Sequence, residues 1–482
     1  MDKPTHRQFL TSSPAILLLA WLGPTAWTQP FWSQTQAELV GALWSDPTKV
    51  VIVQSFHAGD PMGVALRHVW GEEAQTASLF ITEHQPLDDW QTNPALVDVR
   101  SEGPQTVTFQ ASDLGYYPVE ISGLTGVATS TGDRSGHAYD VILDLDGDGT
   151  LSEGDVLDGG SPPGFYLLGN LNEVGNHDVV QVEYAPSFWH TQRIFYPADV
   201  NAMTSQPLVV ISHGWTHEYT YYDYLGHHLA SHGYIVMSHR NDVGSGNAAA
   251  TETASQTALE NIDVFLSDLG VLAGGVLEGR VDPHRIVHMG HSTGGECVVR
   301  ARNRLVEGSY VSPWITAEDI VLVNSFAPVS FLPADEVAPL DVAFHEFFGG
   351  ADTDVSGDAV DGYVQGLAIF ERATGNRSVT YIHGAGHDDL HGNPGPSLAD
   401  GPDLIGREAT HSVTRPYTLA LCELHAWSNR AVEEYFTRPR MQFGPLGIEE
   451  GVTVTGEHRP SWSQATGGTG GTGGSIDPSP ME

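Results

Sequence analysis

The sequence predicts an α/β domain, a mostly parallel central sheet flanked by helices, preceded by an all-β domain. Three observations predict it. After Asn176, apolar runs of strand length alternate with amphipathic stretches of helix length, the pattern of βαβ units. Before Asn172, short apolar or alternating runs are separated by Gly, Pro and Asp, as in a sandwich of antiparallel strands. The third is the run Ile286-Val287-His288-Met289, which leads into Gly290-His291-Ser292-Thr293-Gly294 and then a helix-compatible stretch over 296–305. A serine on a strained strand-to-helix turn holds its hydroxyl clear of the sheet, and glycine-sized neighbours let the backbone fold that tightly.

With 482 residues the chain is long enough for two domains and a large core. Its formal net charge is −39, and Lys3 and Lys49 are the only lysines. Such a surface repels nucleic acid and anionic membranes, and suits a solvated protein in salty or Ca²⁺-containing water. Residues 1–30 carry Lys3, His6 and Arg7, then the apolar stretch 15–22, then Pro24-Thr25-Ala26, the make-up of a secretory signal. Export is therefore expected, with no further stretch apolar enough to span a bilayer. Two cysteines, Cys297 and Cys422, cannot build a disulfide framework and are expected as buried thiols, with a single bridge between them as the alternative.

In chain order, residues 31–172 offer strand-like runs at 50–53, 77–81, 106–109 and 118–121, which favour an immunoglobulin-like sandwich. The same region contains Asp144-Leu145-Asp146-Gly147-Asp148-Gly149-Thr150-Leu151-Ser152-Glu153-Gly154-Asp155. Oxygen-bearing side chains recur at positions 1, 3, 5, 9 and 12, with glycine at 6. That spacing resembles a calcium loop of EF-hand type, closed by Asp rather than Glu. Asp144, Asp146, Asp148, Ser152 and Asp155, with the Thr150 backbone carbonyl, are thus candidate ligands of one structural Ca²⁺. Alternating carboxylates repel one another unless a cation offsets them.

Residues 173–440 form the expected α/β domain. Strands are drawn at 208–212, 234–238, 285–289, 320–324, 342–348 and 379–382, and helices at 221–231, 253–272, 296–305, 357–374 and 413–436. A Pro/Gly-rich loop covers 392–409. Residues 441–482, with a Gly/Thr repeat at 467–474, read as a flexible tail.

A serine nucleophile needs a base, an acid that orients the base, and two N–H donors for the oxyanion. Each candidate falls at a strand end. His213-Gly214-Trp215 follows the 208–212 strand, so the backbone N–H groups of Trp215 and Thr293 are the candidate oxyanion hole, with His213 supporting the loop. His387 follows the last predicted strand and is the candidate base, with His383 as its rival. The acid follows the strand before, where Gly349-x-x-Asp352-x-x-Val355 favours Asp352 and leaves Asp354 as the alternative. Ser292, Asp352 and His387 occur in that order along the chain.

These stretches, with Leu229-Ala230-Ser231-His232-Gly233-Tyr234, resemble the α/β-hydrolase superfamily. Within it they look like the secreted cutinase-like polyester hydrolases and the related chlorophyllase and platelet-activating-factor acetylhydrolase group. The resemblance covers about 176–436. It implies a serine esterase that hydrolyses carboxylic esters through an acyl-enzyme, with no catalytic cofactor and with Trp215 as an aromatic wall of the acyl site. Thr293 stands where that group usually has methionine. Tyr219, Tyr221, Tyr222 and Tyr224 crowd the segment after Trp215 and extend the expected wall, although some of them belong to the core, since Tyr221 and Tyr224 fall at helical i, i+3 spacing. The acidic surface favours neutral acyl or aryl esters, small or polymeric, over anionic ones. The same triad serves acyl-peptidases and thioesterases. The β-rich first half also leaves open a Ca²⁺-dependent adhesion protein on a hydrolase scaffold.

Overall fold

The computed structural model describes residues 37–40, 54–60, 62–66, 75–109, 119–132, 134–158, 162–244, 247–355, 367–437 and 444–461. The leader-like segment 1–30, the strand expected at 50–53, most of the helix expected at 357–374 and the Gly/Thr repeat lie outside them.

The first half is β-rich. Ser55–His57, Gln75–Glu83, Gln105–Phe109, His137–Asp144, Val156–Asp158 and Phe165–Leu168 form one sheet, and Ala37–Val40, Gly63–Leu66 and Val119–Glu120 a smaller one. Val64 of the small sheet shares a core with Leu79, Ile81, Val107, Tyr139 and Phe165 of the large one. Alternation places these side chains on one face, while intervening residues such as Thr106 and Thr108 face out.

The second half is built on a nine-stranded sheet: β1 Val179–Tyr184, β2 Gln192–Pro197, β3 Gln206–Ser212, β4 Ile235–His239, β5 Val281–His291, β6 Ile320–Phe326, β7 Ala343–Gly349, β8 Arg377–Ile382 and β9 Val454–Arg459. The spatial order is β1-β2-β4-β3-β5-β6-β7-β8-β9. Strands β3 to β8 run parallel, with antiparallel partners at both edges. Both faces are covered, so the central strands read as mainly apolar runs, interrupted by buried polar residues such as His288, His345 and Glu346, whose side chains alternate between two cores. Val209, Ile211, Val287 and Met289 enter the core under α1 (Asp223–Ser231) and α4 (Gly406–Ala426). Leu208, Val210 and Ile286 enter the opposite core under α2 (Ala248–Ser267) and α3 (Thr293–Glu307).

Several boundaries differ from the sequence reading. Helix α2 begins at Ala248 rather than 253 because Asn247 caps it, accepting from the Ala250 N–H at 3.2 Å. The helix expected at 413–436 is instead α4, which ends at Ala426, followed by the short turns Arg430–Val432 and Glu434–Thr437. The flexible tail expected from 441 is corrected in its first part. Val454–Arg459 pairs with β8 as an edge strand, and its outward side chains can be polar because that face meets solvent.

The halves are bonded to each other. Ser55 Oγ donates to Ala431 O at 2.7 Å, and Arg134 pairs with the buried Glu423 while stacking 3.7 Å over the Trp427 ring. Both cysteines are free and buried, and burial pushes the Cys297 thiol up to about 12. Among the described residues, no helix is long and apolar enough to cross a membrane.

Candidate active site

Strands β3 and β5 are parallel neighbours, with Ser212 opposite Gly290, so the loop after β3 and the turn after β5 emerge side by side. Ser292 sits at φ 57°, ψ −123°, a conformation that costs about 1–3 kcal/mol in a non-glycine residue. The surroundings hold it there: its N–H donates to Phe326 O at 2.8 Å, and its carbonyl accepts from Gly295 N–H at 2.9 Å. The flanking glycines are required by contact. A Cβ on Gly290 would lie 2.1 Å from Gly294 O, and one on Gly294 would lie 2.3 Å from Ser212 O.

Across from the turn, a Cβ on Gly214 would lie 2.7 Å from His291 O and 2.8 Å from Ser292 Cβ. Glycine therefore lets this loop lie directly against the serine. His213 Nδ1 donates to Gly214 O at 2.9 Å, and its Nε2 accepts from the Asn241 N–H at 2.9 Å. Burial lowers the His213 pKa to about 3, so the ring is a neutral brace, as expected of it. Thr293 opens α3, where the first N–H groups have no intrahelical acceptor.

His387 follows β8 at the start of a short turn, with its N–H donating to Leu398 O at 3.1 Å. Its Nδ1 donates to Asp352 Oδ2 at 2.7 Å, with both side chains buried. Asp352 Oδ1 accepts the N–H groups of Asp354 and Val355, each at 2.8 Å. The carboxylate is thus fixed on one oxygen and spends the other on the imidazole. Burial works to lower the His387 pKa, but the Asp352 hydrogen bond and the charges of Asp352, Asp354 and Asp388 outweigh it and raise the value.

Asp354 is placed differently. Its half-exposed carboxylate lies 3.5 Å from His387 Nε2, a nitrogen that makes no hydrogen bond among the described residues. The rival His383 is exposed and contacts Thr455. The Pro/Gly-rich loop braces the pair from outside. Leu398 O accepts both the His387 and the Thr353 N–H, tying the His387 and Asp352 segments together.

Ser292, Thr293, His387 and Asp354 line one cavity of about 400 Å³, walled by Trp215, Tyr221 and Phe331. Trp215 is 50% exposed there. The expected tyrosine wall is corrected, because of the four tyrosines only Tyr221 lines the cavity. Tyr219 and Tyr222 are buried, and Tyr224 stacks on His411 with ring centroids 3.6 Å apart. The 3₁₀ turn Tyr219–Tyr222 and helix α1 point successive side chains in different directions. Sequence reasoning missed the polar part of the wall. His217 stacks 4.8 Å from His291, which lies 4.7 Å from His387, and Asp388 and His391 stand beside them. The stretch His387-Asp388-Asp389-Leu390-His391 was the available signal.

The acidic loop joins two antiparallel strands, so no helices flank it. Carboxylate oxygens of Asp144, Asp146 and Asp148 lie within 4.8 Å of one another. Ser152 Oγ is 3.4 Å from Asp146 Oδ2, and Thr150 N–H donates to Asp148 Oδ1 at 2.7 Å. Asp155 is buried and turned toward the loop backbone, accepting from the N–H groups of Leu145 and Ser152, each at 2.8 Å. Burial raises its pKa, although these hydrogen bonds oppose the shift.

Residues 171–354 match the PET hydrolase-like family. The match includes Ser292 and Asp352 and stops short of His387, whose place rests on the geometry above. Cutinase 1 of Thermobifida cellulosilytica is 24% identical over 166 residues, 34% of this chain and 60% of that protein. A cutinase of Thermobifida fusca (strain YX) is 24% identical over 166 residues, 34% of this chain and 52% of that protein. The chain thus spans between half and two thirds of the length of these relatives. In the segment that holds Ser292 and Asp352, this chain resembles the cutinase-like polyester hydrolases of the α/β-hydrolase superfamily.

Proposed function

We propose that this chain is a secreted serine carboxylic-ester hydrolase whose catalytic domain, built on the nine-stranded sheet, acts on neutral acyl or aryl esters, polyesters included. The observation that carries this reading is the buried Asp352–His387 hydrogen bond, whose free Nε2 shares a cavity with Ser292 on its strained turn. In this mechanism His387 Nε2 takes the proton of Ser292 Oγ as the oxygen attacks the ester carbonyl. Asp352 holds the Nδ1–H tautomer and stabilises the imidazolium. The Trp215 and Thr293 N–H groups receive the oxyanion. The imidazolium then protonates the leaving alcohol, and water, activated by the same ring, releases the acid from the acyl-enzyme.

Preference for neutral substrates follows from Asp354 in the cavity wall and from the net charge of −39, which repel carboxylates and also nucleic acid. Secretion rests on the leader-like composition of 1–30. The β-rich first half, read as an immunoglobulin-like sandwich, is an accessory domain stabilised by one Ca²⁺. Asp144, Asp146, Asp148, Thr150 and Ser152 would hold the ion, with Asp155 closing the loop.

The test is kcat/KM on matched neutral and anionic esters of rising acyl length, an aryl-polyester film, a thioester and a peptide anilide. Highest activity on neutral esters is expected. Dominant cleavage of the anilide or the thioester would replace the reading with an acyl-peptidase or a thioesterase, and inactivity on all would favour a binding protein.

A further inference from the structure

Three side chains that this chemistry leaves unused meet at one point of the cavity wall. His217 Nε2 lies 3.4 Å, and His391 Nε2 3.2 Å, from the same oxygen, Asp388 Oδ1. One ligand atom of each of the three residues lies within 4.8 Å of the other two. The residues come from two places in the chain, the loop after β3 and the turn after β8, and their side chains are largely buried. The spacing is informative. A charge-assisted N–H···O⁻ bond is about 2.7–2.9 Å, and both contacts are longer. Tetrahedral ligands bonded at about 2.0–2.1 Å to a shared ion stand about 3.3–3.4 Å apart, and both contacts fall close to that edge.

We propose that His217, Asp388 and His391 form a binding site for one Zn²⁺ ion in the wall of the active-site cavity. Two imidazoles and one carboxylate are a zinc donor set, whereas Ca²⁺ and Mg²⁺ take oxygen ligands. Three protein ligands leave a fourth position for water or a substrate oxygen, and all three residues line the cavity that holds Ser292 and His387. Coordination through Nε2 requires each ring to carry its proton on Nδ1. For His217 the Tyr222 hydroxyl, 3.4 Å from Nδ1, can accept it. For His391 the tautomer shift gives up a long contact, the Asn393 N–H at 3.3 Å. The site is defined by binding and stands whether or not the cavity hydrolyses esters.

The experiment is calorimetric titration of the chelator-stripped full chain with Zn²⁺ in excess Ca²⁺, so that the acidic loop does not compete. One equivalent per chain is expected. His217→Ala and His391→Ala should each weaken it by about 10-fold or more, taking the 10–100-fold cost of losing a mere outer-sphere partner as a lower bound. Co²⁺ in place of Zn²⁺ should give a tetrahedral visible spectrum that Asp388→Asn abolishes. No binding to the wild-type chain overturns the proposal. So does a site that survives all three substitutions, or one lost in His387→Ala but kept in His391→Ala.

Discussion

Asp352 Oδ2 accepts the His387 Nδ1–H at 2.7 Å inside the protein, while Asp354, two residues on, stands on the opposite, cavity side of the same ring, 3.5 Å from Nε2. The two carboxylates that the sequence leaves as alternatives are thereby assigned different positions. On the triad reading, Asp352→Asn allows the wrong imidazole tautomer and should lower kcat by roughly 10⁴-fold. Asp354→Asn should change kcat far less and relax the discrimination against anionic esters. Steady-state kinetics of both variants on one neutral and one anionic ester check this, and the reverse ranking in kcat would move the orienting role to Asp354.

Gly214→Ala should lower kcat by roughly 10²-fold with little change in melting temperature. The added methyl would meet His291 O and Ser292 Cβ at under 3 Å, so the loop carrying the Trp215 N–H must retreat from the serine. Wild-type kcat in this variant would remove that loop from the oxyanion site.

Glu296, four residues after the serine, is fully buried, accepting from Thr251 Oγ1 at 2.7 Å and Leu332 N–H at 2.8 Å. Burial pushes its pKa from 4.5 up to about 7. Between those values the folded chain holds a proton that the unfolded chain has released. Stability from this group is therefore full below about pH 4.5, falls as pH rises to about 7, and then levels off. The span is on the order of 3 kcal/mol. Glu296→Gln still accepts from Leu332 N–H, can donate its amide N–H to Thr251 Oγ1 in place of accepting from it, and removes the titration, so its unfolding free energy should fall by about that much less between pH 4.5 and pH 8. Denaturant curves at several pH values decide it, and parallel profiles for the two proteins would contradict it.

If the acidic loop holds Ca²⁺, the ion binds the folded state alone, and chelation should lower the melting temperature by several degrees. Asp146→Asn should melt at the chelated temperature with or without Ca²⁺. A melting curve indifferent to chelator, with no heat on Ca²⁺ addition, would leave an acidic turn without an ion.

What was legible in the sequence was local. The turn around Ser292 needs small neighbours because Gly290 and Gly294 touch backbone, and that need is written as a motif. The central strands were visible because they are buried on both faces, and His387 because it follows one of them. The edge strands were not. β1 and β2 were undrawn, and β9, Val-Thr-Gly-Glu-His-Arg, carries mainly polar side chains because one face meets solvent. The polar cavity wall is only half legible, in the 387–391 stretch, for another reason. His217 and His391 are distant in sequence and adjacent in space, and the chain has 23 histidines. The tyrosine wall failed because proximity in sequence says little about direction on a helix, which sends Tyr222 inward and leaves Tyr221 at the cavity.

The central claim, that Ser292 is the nucleophile, is tested most directly by labelling the wild-type chain with a fluorophosphonate and mapping the adduct by mass spectrometry. The account predicts one adduct per chain, on Ser292, with no labelling of Ser292→Ala and a loss of roughly 10³-fold or more in kcat for that folded variant. An adduct on another residue, or a Ser292→Ala protein that keeps its esterase activity, would contradict it.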